Sequence, residues 1–208
     1  HINVIGKENI PPEGRFIFAS NHPLGALDGV ALIRFFGHFY SGKIKFLVND
    51  LLMHIKPLAP VFLPINKYGS QAKESSLQIN NAYESDEQML IFPAGLCSRL
   101  QHGKIKDLEW KKTFIAKAVQ SQRDIIPIYF EGRNSTFFYR FAQIRKCIGL
   151  KFNIELIYLP DEMFNSKNKT FDIYIGKPIP WQTFDKSKSL QEWAQIVKEK
   201  VYQIKKNQ

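Results

Sequence analysis

Residues 15–36 read RFIFASNHPLGALDGVALIRFF, and this stretch predicts the fold of the chain around it. Residues 15–20 form a short, almost wholly apolar run, which is typical of a buried strand. The apolar residues after Gly25 recur at helical spacing: Val30, Leu32, Ile33, Phe35 and Phe36. We therefore expect His22 at a strand exit and Asp28 in the first turn of a helix, where an acid suits the helix dipole.

Strand-like and helix-like segments alternate over residues 15–132. Apolar runs predict strands at 45–48, 89–95 and 124–132, and amphipathic or polar runs predict helices at 75–87 and 107–120. This alternation predicts an α/β fold with a mixed, largely parallel sheet flanked by helices. Prolines in residues 51–70 exclude one continuous regular element there.

The C-terminal part, residues 150–206, is predicted to add strands and a final helix. Residues 151–159 and 171–179 are apolar enough for strands, with a polar loop at 161–169 between them. Ser189 and Glu192 have the spacing of a capping box before an amphipathic helix. We expect one domain over residues 1–208, with the chemistry concentrated in residues 15–132.

Composition limits the class of protein. The 208 residues carry 29 Lys plus Arg against 19 Asp plus Glu, so the net charge of +10 favours an anionic partner. Cys97 and Cys147 are too few for a disulfide scaffold or a zinc site, which indicates a reducing compartment and no metal. No apolar run is long enough to span a bilayer. The sequence starts at His1, which leaves open an N-terminal membrane anchor outside it.

His22 and Asp28 are the strongest candidates for chemistry. A carboxylate about one helical turn from a histidine at a strand exit can hold the imidazole in one tautomer, so that the other ring nitrogen acts as a general base. A capping role for His22 and a dipole-balancing role for Asp28 are the alternative interpretation of the same pair.

Residues 21–29, NHPLGALDG, resemble the first motif of the glycerophosphate and lysophospholipid acyltransferases, a histidine and an aspartate separated by four residues. Here five residues separate His22 from Asp28. This spacing is similar to that of a PlsC-like bacterial branch described as hemolysin-like or as acyltransferases of ornithine and glycine lipids. The resemblance implies catalysis by His22 and Asp28, with Asn21 among the substrate-binding residues.

The other family motifs follow in order. Residues 61–67, VFLPINK, are similar to the second motif, with Lys67 where an arginine is usual. Residues 92–99, FPAGLCSR, are similar to the third, with Ala94 in place of a glutamate. The resemblance implies that the substrate is bound by Gly95, Ser98 and Arg99 and by the basic stretch with Lys111 and Lys112, which are predicted on the first turns of a helix. One of these lysines is expected to reach the acceptor head group or the acidic surface of the acyl carrier, and the other to be solvated. Residues 126–128, Ile-Pro-Ile, match the fourth motif, either as acyl-chain lining or as plain core.

The resemblance implies an acyltransferase that moves a fatty acyl group from a thioester to the hydroxyl of a lyso-lipid, either a lysophospholipid or an acyl amino acid. It implies no cofactor, because acyl carrier protein or coenzyme A serves as the donor substrate. The expected location is peripheral, on the cytoplasmic face of the inner membrane, and the positive charge fits an anionic membrane surface. Residues 51–65, LLMHIKPLAPVFLPI, are the predicted contact.

Two other functions compete with this interpretation. Cys97 could act as a nucleophile with His22 in a thioesterase or a covalent acyl transfer, although GLCSR is not a nucleophile elbow. A non-catalytic basic module that binds membrane or nucleic acid would also explain the charge. No nucleic-acid-binding motif is present, and the basic residues are scattered along the chain, so we expect no nucleic-acid partner.

Overall fold

A seven-stranded sheet organises the residues that the computed structural model describes, which are 1–48, 52–53, 55–65, 71–150 and 152–207. The strands are β1 (Ile2–Ile5), β2 (Phe16–Ser20), β3 (Ile44–Val48), β4 (Phe62–Pro64), β5 (Gln88–Ile91), β6 (Arg99–Gln101), β7 (Lys104–Lys106), β8 (Asp124–Phe130) and β9 (Phe171–Ile175). The α-helices are α1 (Leu27–Phe39), α2 (Gln71–Glu84), α3 (Thr113–Ser121), α4 (Thr136–Cys147), α5 (Leu159–Phe164) and α6 (Leu190–Ile204). A 3₁₀ helix, Ile154–Tyr158, precedes α5.

The strand order is β1-β9-β8-β2-β5-β3-β4, and β6 and β7 form a separate antiparallel hairpin. Every neighbouring pair of the main sheet is parallel except β8 and β9, which are antiparallel. The predicted α/β fold with a mixed, largely parallel sheet is confirmed. Because β2, β5 and β8 run in the same direction, the loops that leave their carboxyl ends meet at one edge of the sheet.

Both faces of the sheet are covered, which explains why the central strand β2 is apolar throughout. Phe18 packs into the core beneath α1, whereas Ile17 and Ala19 pack into the second core, formed with residues of α2, α3 and α6. All residues of β2 are buried. A parallel strand with helices on both sides loses the apolar and polar alternation of a half-exposed strand.

Several predicted elements are confirmed. The strands predicted at 15–20, 45–48 and 124–132 correspond to β2, β3 and β8, and the helix predicted after Gly25 corresponds to α1. Ser189 and Glu192 form the predicted capping box of α6, with the Ser189 N–H donating to Glu192 Oε2 at 2.7 Å. Among the described residues, no helix is long and apolar enough to cross a bilayer.

One predicted element is wrong, and another begins later than predicted. The described part of residues 151–159 forms the 3₁₀ helix and enters α5 instead of a strand. The buried Glu155 in this segment pairs with Arg99 of β6 and Arg145 of α4, which lie outside the main sheet. The helix predicted at 107–120 begins only at Thr113. The buried side chain of Asp107 holds residues 107–112, which precede α3, in an irregular path through several hydrogen bonds.

Candidate active site

The loop after β2 is fixed to the neighbouring strand by Asn21. Its amide Nδ2 donates to the Phe130 carbonyl at 3.0 Å, and the Phe130 N–H donates to Asn21 Oδ1 at 2.6 Å. The side chain thus extends the pairing of β2 with β8 beyond the last residue of β2. Asn21 was predicted to bind substrate, but it is 2% exposed and both ends of its amide are used within the protein. The structure places it where it positions the backbone of His22.

His22 and Asp28 meet as the sequence predicts. His22 Nδ1 lies 3.0 Å from Asp28 Oδ2, and the Asp28 carboxylate also accepts the N–H groups of Leu24 at 2.8 Å, Gly25 at 3.3 Å and Gly29 at 2.9 Å. The loop therefore wraps around the carboxylate, which accommodates the fifth residue between the two side chains. The three backbone N–H groups can only donate, so the carboxylate is the acceptor, and the His22 tautomer with its hydrogen on Nδ1 fits this arrangement.

Gly25 is required for this loop to close. Its φ of +81° lies in the left-handed region that disfavours other residues. A Cβ at this position would also lie 2.9 Å from the Leu159 side chain. The loop around Asp28 is consequently packed against the start of α5.

The His22 ring is held on a second side by Phe92, at the end of β5. The ring centroids lie 3.8 Å apart with 17° between the planes. The His22 side chain is 13% exposed and that of Asp28 is fully buried. With Nδ1 bonded to Asp28, Nε2 is the nitrogen that carries the lone pair and can accept a proton. The arrangement is that of an oriented general base.

Asp107 is a positioning residue that sequence analysis missed. Its buried carboxylate accepts the Ser98 hydroxyl at 2.6 Å, the Trp110 indole N–H at 2.9 Å and the His22 backbone N–H at 3.2 Å. Burial raises the pKa of Asp107, and these hydrogen bonds act against the shift. The only sequence signal is an acid three residues before a tryptophan, which is too common to single out.

Ser98 joins the third motif to the histidine loop. Its N–H donates to the His22 carbonyl at 2.7 Å, its hydroxyl is bonded to Asp107, and the residue is 1% exposed. The predicted contact of Ser98 with substrate is replaced by these internal bonds. The backbone N–H of His22 is therefore held by Asp107, and its carbonyl is held by Ser98.

The third motif forms a turn that receives Lys111. The Gly95 N–H donates to the Phe92 carbonyl at 2.9 Å, and Gly95 has a φ of +70°. A Cβ on Gly95 would lie 2.6 Å from Lys111 Nζ. The glycine therefore leaves space for an ammonium group over the turn that carries Phe92, so Gly95 and Lys111 are brought to the same place.

Lys111 and Lys112 do not lie on the first turns of a helix as predicted. Lys111 precedes α3, with its N–H donating to the Pro93 carbonyl at 3.1 Å, and Lys112 is the N-cap residue. The side chains of both are exposed. Lys111 is directed to the third motif by its backbone bond.

Arg99 has a partner inside the protein, contrary to its predicted role as a clamp on the acceptor. Its Nη2 donates to Glu155 Oε1 at 2.8 Å, and Arg145 Nε lies 2.8 Å from Glu155 Oε2. The Glu155 side chain is fully buried and that of Arg99 is 12% exposed. A buried carboxylate is stable only when it is paired in this way. Arg99 thus ties the third motif to the 3₁₀ helix and to α4.

The remaining predicted residues lie either outside the described part of the chain or in the core. Lys67 lies outside the described residues. Ala94 is 4% exposed and packs in the second core, so the position that a glutamate occupies in the family motif is apolar here. Ile126 and Ile128 are fully buried in the core beneath α1, which favours packing over acyl-chain lining.

Cys97 does not have the character of a nucleophile. It is 2% exposed, and burial raises the pKa of its thiol to about 11 despite the nearby Arg99 guanidinium. A thiol with that pKa is protonated at neutral pH, and reactive cysteines have lowered values. The Cys97-dependent thioesterase hypothesis therefore loses its support.

Comparison with known proteins agrees with this geometry. A family model described as "Acyltransferase" matches residues 2–208. The chain belongs to this acyltransferase family. The acyltransferase is 56% identical over 203 residues to a protein of Bacteroides thetaiotaomicron named "Lyso-glycine lipid O-acyltransferase", covering 98% of this chain and 75% of the relative. A protein of the same name from Phocaeicola vulgatus is 53% identical over 203 residues, with coverage of 98% and 73%.

The fold of the acyltransferase is also that of a solved structure. The crystal structure of PlsC from Thermotoga maritima, a 1-acyl-sn-glycerophosphate (LPA) acyltransferase, superposes with a TM-score of 0.58 at 19% sequence identity. The match covers 98% of this chain and 72% of that one. The resemblance inferred from the motifs is confirmed at the level of family and fold.

Proposed function

We propose that this acyltransferase moves a fatty acyl group from an acyl thioester to the hydroxyl of a lyso-glycine lipid, with His22 as the general base. The hydrogen bond from His22 Nδ1 to the buried Asp28 carboxylate carries the mechanism, because it leaves Nε2 free to accept a proton. The two relatives named for lyso-glycine lipid support the choice of acceptor.

The reaction needs one base and no covalent enzyme intermediate. As the acceptor oxygen bonds to the thioester carbonyl carbon, its proton passes to His22 Nε2, and the buried Asp28 carboxylate stabilises the imidazolium that forms. The tetrahedral intermediate then expels the thiolate, which takes the proton back from Nε2. The products are an ester and a free thiol, and His22 returns to its starting state.

Lys111 is proposed to bind the carboxylate of the acceptor head group. Its ammonium lies over Gly95, in the turn whose Phe92 stacks on the His22 ring. An ammonium attracts a carboxylate as a point charge and does not require the two-pronged geometry of a guanidinium. Ala94 fits the same acceptor, because a glutamate in that position would repel an acceptor carboxylate.

The donor is proposed to be acyl carrier protein or coenzyme A carrying the acyl chain as a thioester. The excess of cations in the chain suits the anionic surface or phosphates of either donor. Asn21, Ser98 and Asp107 are proposed as positioning residues for His22, since their bonds hold the backbone on both sides of the ring. Lys67 stays a proposed contact for an anionic substrate group, and the exposed Lys112 stays a proposed contact for the anionic surface of the donor.

The test is an acyl-transfer assay of the wild type and His22→Ala with each donor. The acceptor panel contains lyso-glycine lipid, the matching lyso-ornithine lipid and lysophosphatidate. Loss of the base should lower kcat by about 10²- to 10⁴-fold. His38→Ala, at an exposed position of α1, is the matched control and should keep full activity. Equal turnover by His22→Ala would refute the mechanism, and a preference for lysophosphatidate would refute the acceptor.

A further inference from the structure

α4 has two apolar faces, and the structure covers one of them. Phe138 and Ala142 point into the protein and are buried. Phe137, Phe141 and Ile144 follow one another at intervals of four and three residues, so they share the opposite face. Phe137 is 54% exposed and Ile144 is 59% exposed. The face opposite the core thus offers large apolar side chains to the surroundings.

The exposed apolar residues continue beyond the end of α4. Ile148, Phe152 and Ile157 have exposed fractions of 66%, 82% and 76%. The 3₁₀ helix lies beside α4, because the ring of Tyr158 contacts that of Phe137 at a centroid distance of 5.1 Å. We call the following residues together the α4 surface: Phe137, Phe141, Ile144, Ile148, Phe152 and Ile157. Exposed apolar side chains gathered in this number mark an interaction site.

The charges along α4 itself have one sign, and the nearby acids Glu155 and Glu162 are bound to Arg145 and to Ser135. Residues 133–150 contain four cationic residues, Arg133, Arg140, Arg145 and Lys146, and no acidic one. Arg145 is paired with Glu155, whereas Arg133, Arg140 and Lys146 are exposed. A helix with aromatic and aliphatic residues between cations is the composition that binds at the interface of an anionic bilayer.

The α4 surface adjoins the loop that carries the general base. The Asn134 amide, next to α4, donates to the Leu24 carbonyl at 3.4 Å, and Leu159 packs against Gly25. Arg145 on α4 reaches Arg99 of the third motif through Glu155. A bilayer in contact with this surface would therefore lie beside the site where a lipid hydroxyl must meet His22.

We propose that the α4 surface docks on an anionic lipid bilayer, with its apolar side chains in the interface and the cations of α4 on the lipid phosphates. This inference rests on the proposed lipid substrate and names the surface through which the enzyme reaches it. The contact differs from that predicted at residues 51–65, where Met53, Leu58 and Val61 pack against the core and Leu52, Ile55 and Ile65 are exposed.

The experiment measures flotation of the full chain with phosphatidylcholine vesicles that contain or lack phosphatidylglycerol, without any turnover. The test variant combines Ile148→Gln, Phe152→Gln and Ile157→Gln. It should lower the partition coefficient about tenfold or more, because three apolar side chains no longer enter the interface. The control variant combines Leu77→Gln and Leu190→Gln, exposed apolar positions of α2 and α6, and should bind like the wild type.

A second test variant, in which two cations are replaced, separates the contribution of charge to vesicle binding from that of apolar contact. Arg140→Gln with Lys146→Gln should weaken binding to the phosphatidylglycerol vesicles roughly twentyfold and leave binding to phosphatidylcholine alone unchanged. Acyl transfer to a water-soluble, short-chain acceptor should be the same in all variants, which verifies folding and tests the reaction independently of docking.

Three results would overturn the inference. The first is vesicle binding of the Ile148, Phe152 and Ile157 variant at the wild-type level. The second is a wild type that is dimeric without lipid and becomes monomeric in this variant, since the α4 surface would then bind a second copy. The third is loss of binding to acyl carrier protein with vesicle binding intact.

Discussion

The two ends of the parallel strands use buried charges in opposite ways. At the amino ends of β2, β5 and β8, the fully buried Arg123 donates to the carbonyls of Tyr83 at 2.9 Å and Glu87 at 2.7 Å, and also to that of Ala82. At the carboxyl ends, Asp28 and Asp107 accept backbone N–H groups. In each case a buried charge binds backbone groups of loops and helix ends that have no strand partner.

The difference lies in the partners that each buried charge has. All the partners of Arg123 named above are backbone carbonyls, so its bonds stabilise the fold and present no reactive group. Asp28 has in addition the ring of His22, which is partly exposed and can exchange a proton. A buried charge becomes part of a reactive site when one of its partners can titrate and reach solvent.

The largest expected effect is on stability, at the amino ends. Arg123→Met should lower the free energy of unfolding by about 3–5 kcal/mol, because several buried carbonyls lose their donor. The kcat of the folded fraction should stay within about twofold of the wild type. Chemical denaturation followed by fluorescence measures the first quantity and the acyl-transfer assay the second. Arg15→Met is the control, since Arg15 is partly exposed and also binds carbonyls there. A large loss of kcat in Arg123→Met would contradict a purely structural role for Arg123.

The next effect is on catalysis, at the carboxyl ends. Asp28→Asn should lower kcat about 100-fold, because the amide no longer stabilises the imidazolium or fixes the Nδ1 tautomer. Asp124→Asn is its counterpart at the amino end, where Asp124 Oδ1 accepts the Trp181 N–H at 2.9 Å. That variant should change unfolding but not kcat. Steady-state kinetics and thermal unfolding of both variants separate the two roles, and similar kcat losses in both would contradict them.

The smallest expected effect is on substrate binding, where two adjacent lysines are compared. Lys111→Ala should raise the KM for lyso-glycine lipid about tenfold with little change in kcat, because one ion pair to the acceptor is lost. Lys112→Ala should change KM by less than about twofold. The pair is matched, since the residues are adjacent and both exposed. Equal changes in KM would show that the position of Lys111 over Gly95 has no role in binding.

Local patterns predicted the sheet and the catalytic pair well. β2 and α1 have strong periodicity, and His22 and Asp28 are close in sequence, so one loop decides their contact. The partners of the other predicted site residues are distant in sequence. Asn21 binds the backbone of Phe130, and Arg99 pairs with Glu155, which no local pattern reports. The resemblance supplied their residue types but could not supply their neighbours.

The two departures from the predicted elements have the same cause. Residues 151–159 have the composition of a strand, yet the buried Glu155 among them pairs with Arg99 and Arg145, which are distant in sequence and lie outside the main sheet. Asp107 likewise delays the start of the predicted helix to Thr113 through its bonds to His22 and Ser98. Local propensity is overridden wherever a buried group must find a partner elsewhere in the chain.

The pairing of β1 with β9 has a consequence for biosynthesis. Ile2 lies opposite Phe171, so 169 residues must be translated after Ile2 before its partner exists. At ribosomal rates this takes about 10–30 seconds, during which the backbone N–H and C=O groups of β1 lack their partners in β9. β1 therefore joins the sheet after the other strands of the sheet have been made, although it precedes them in the sequence.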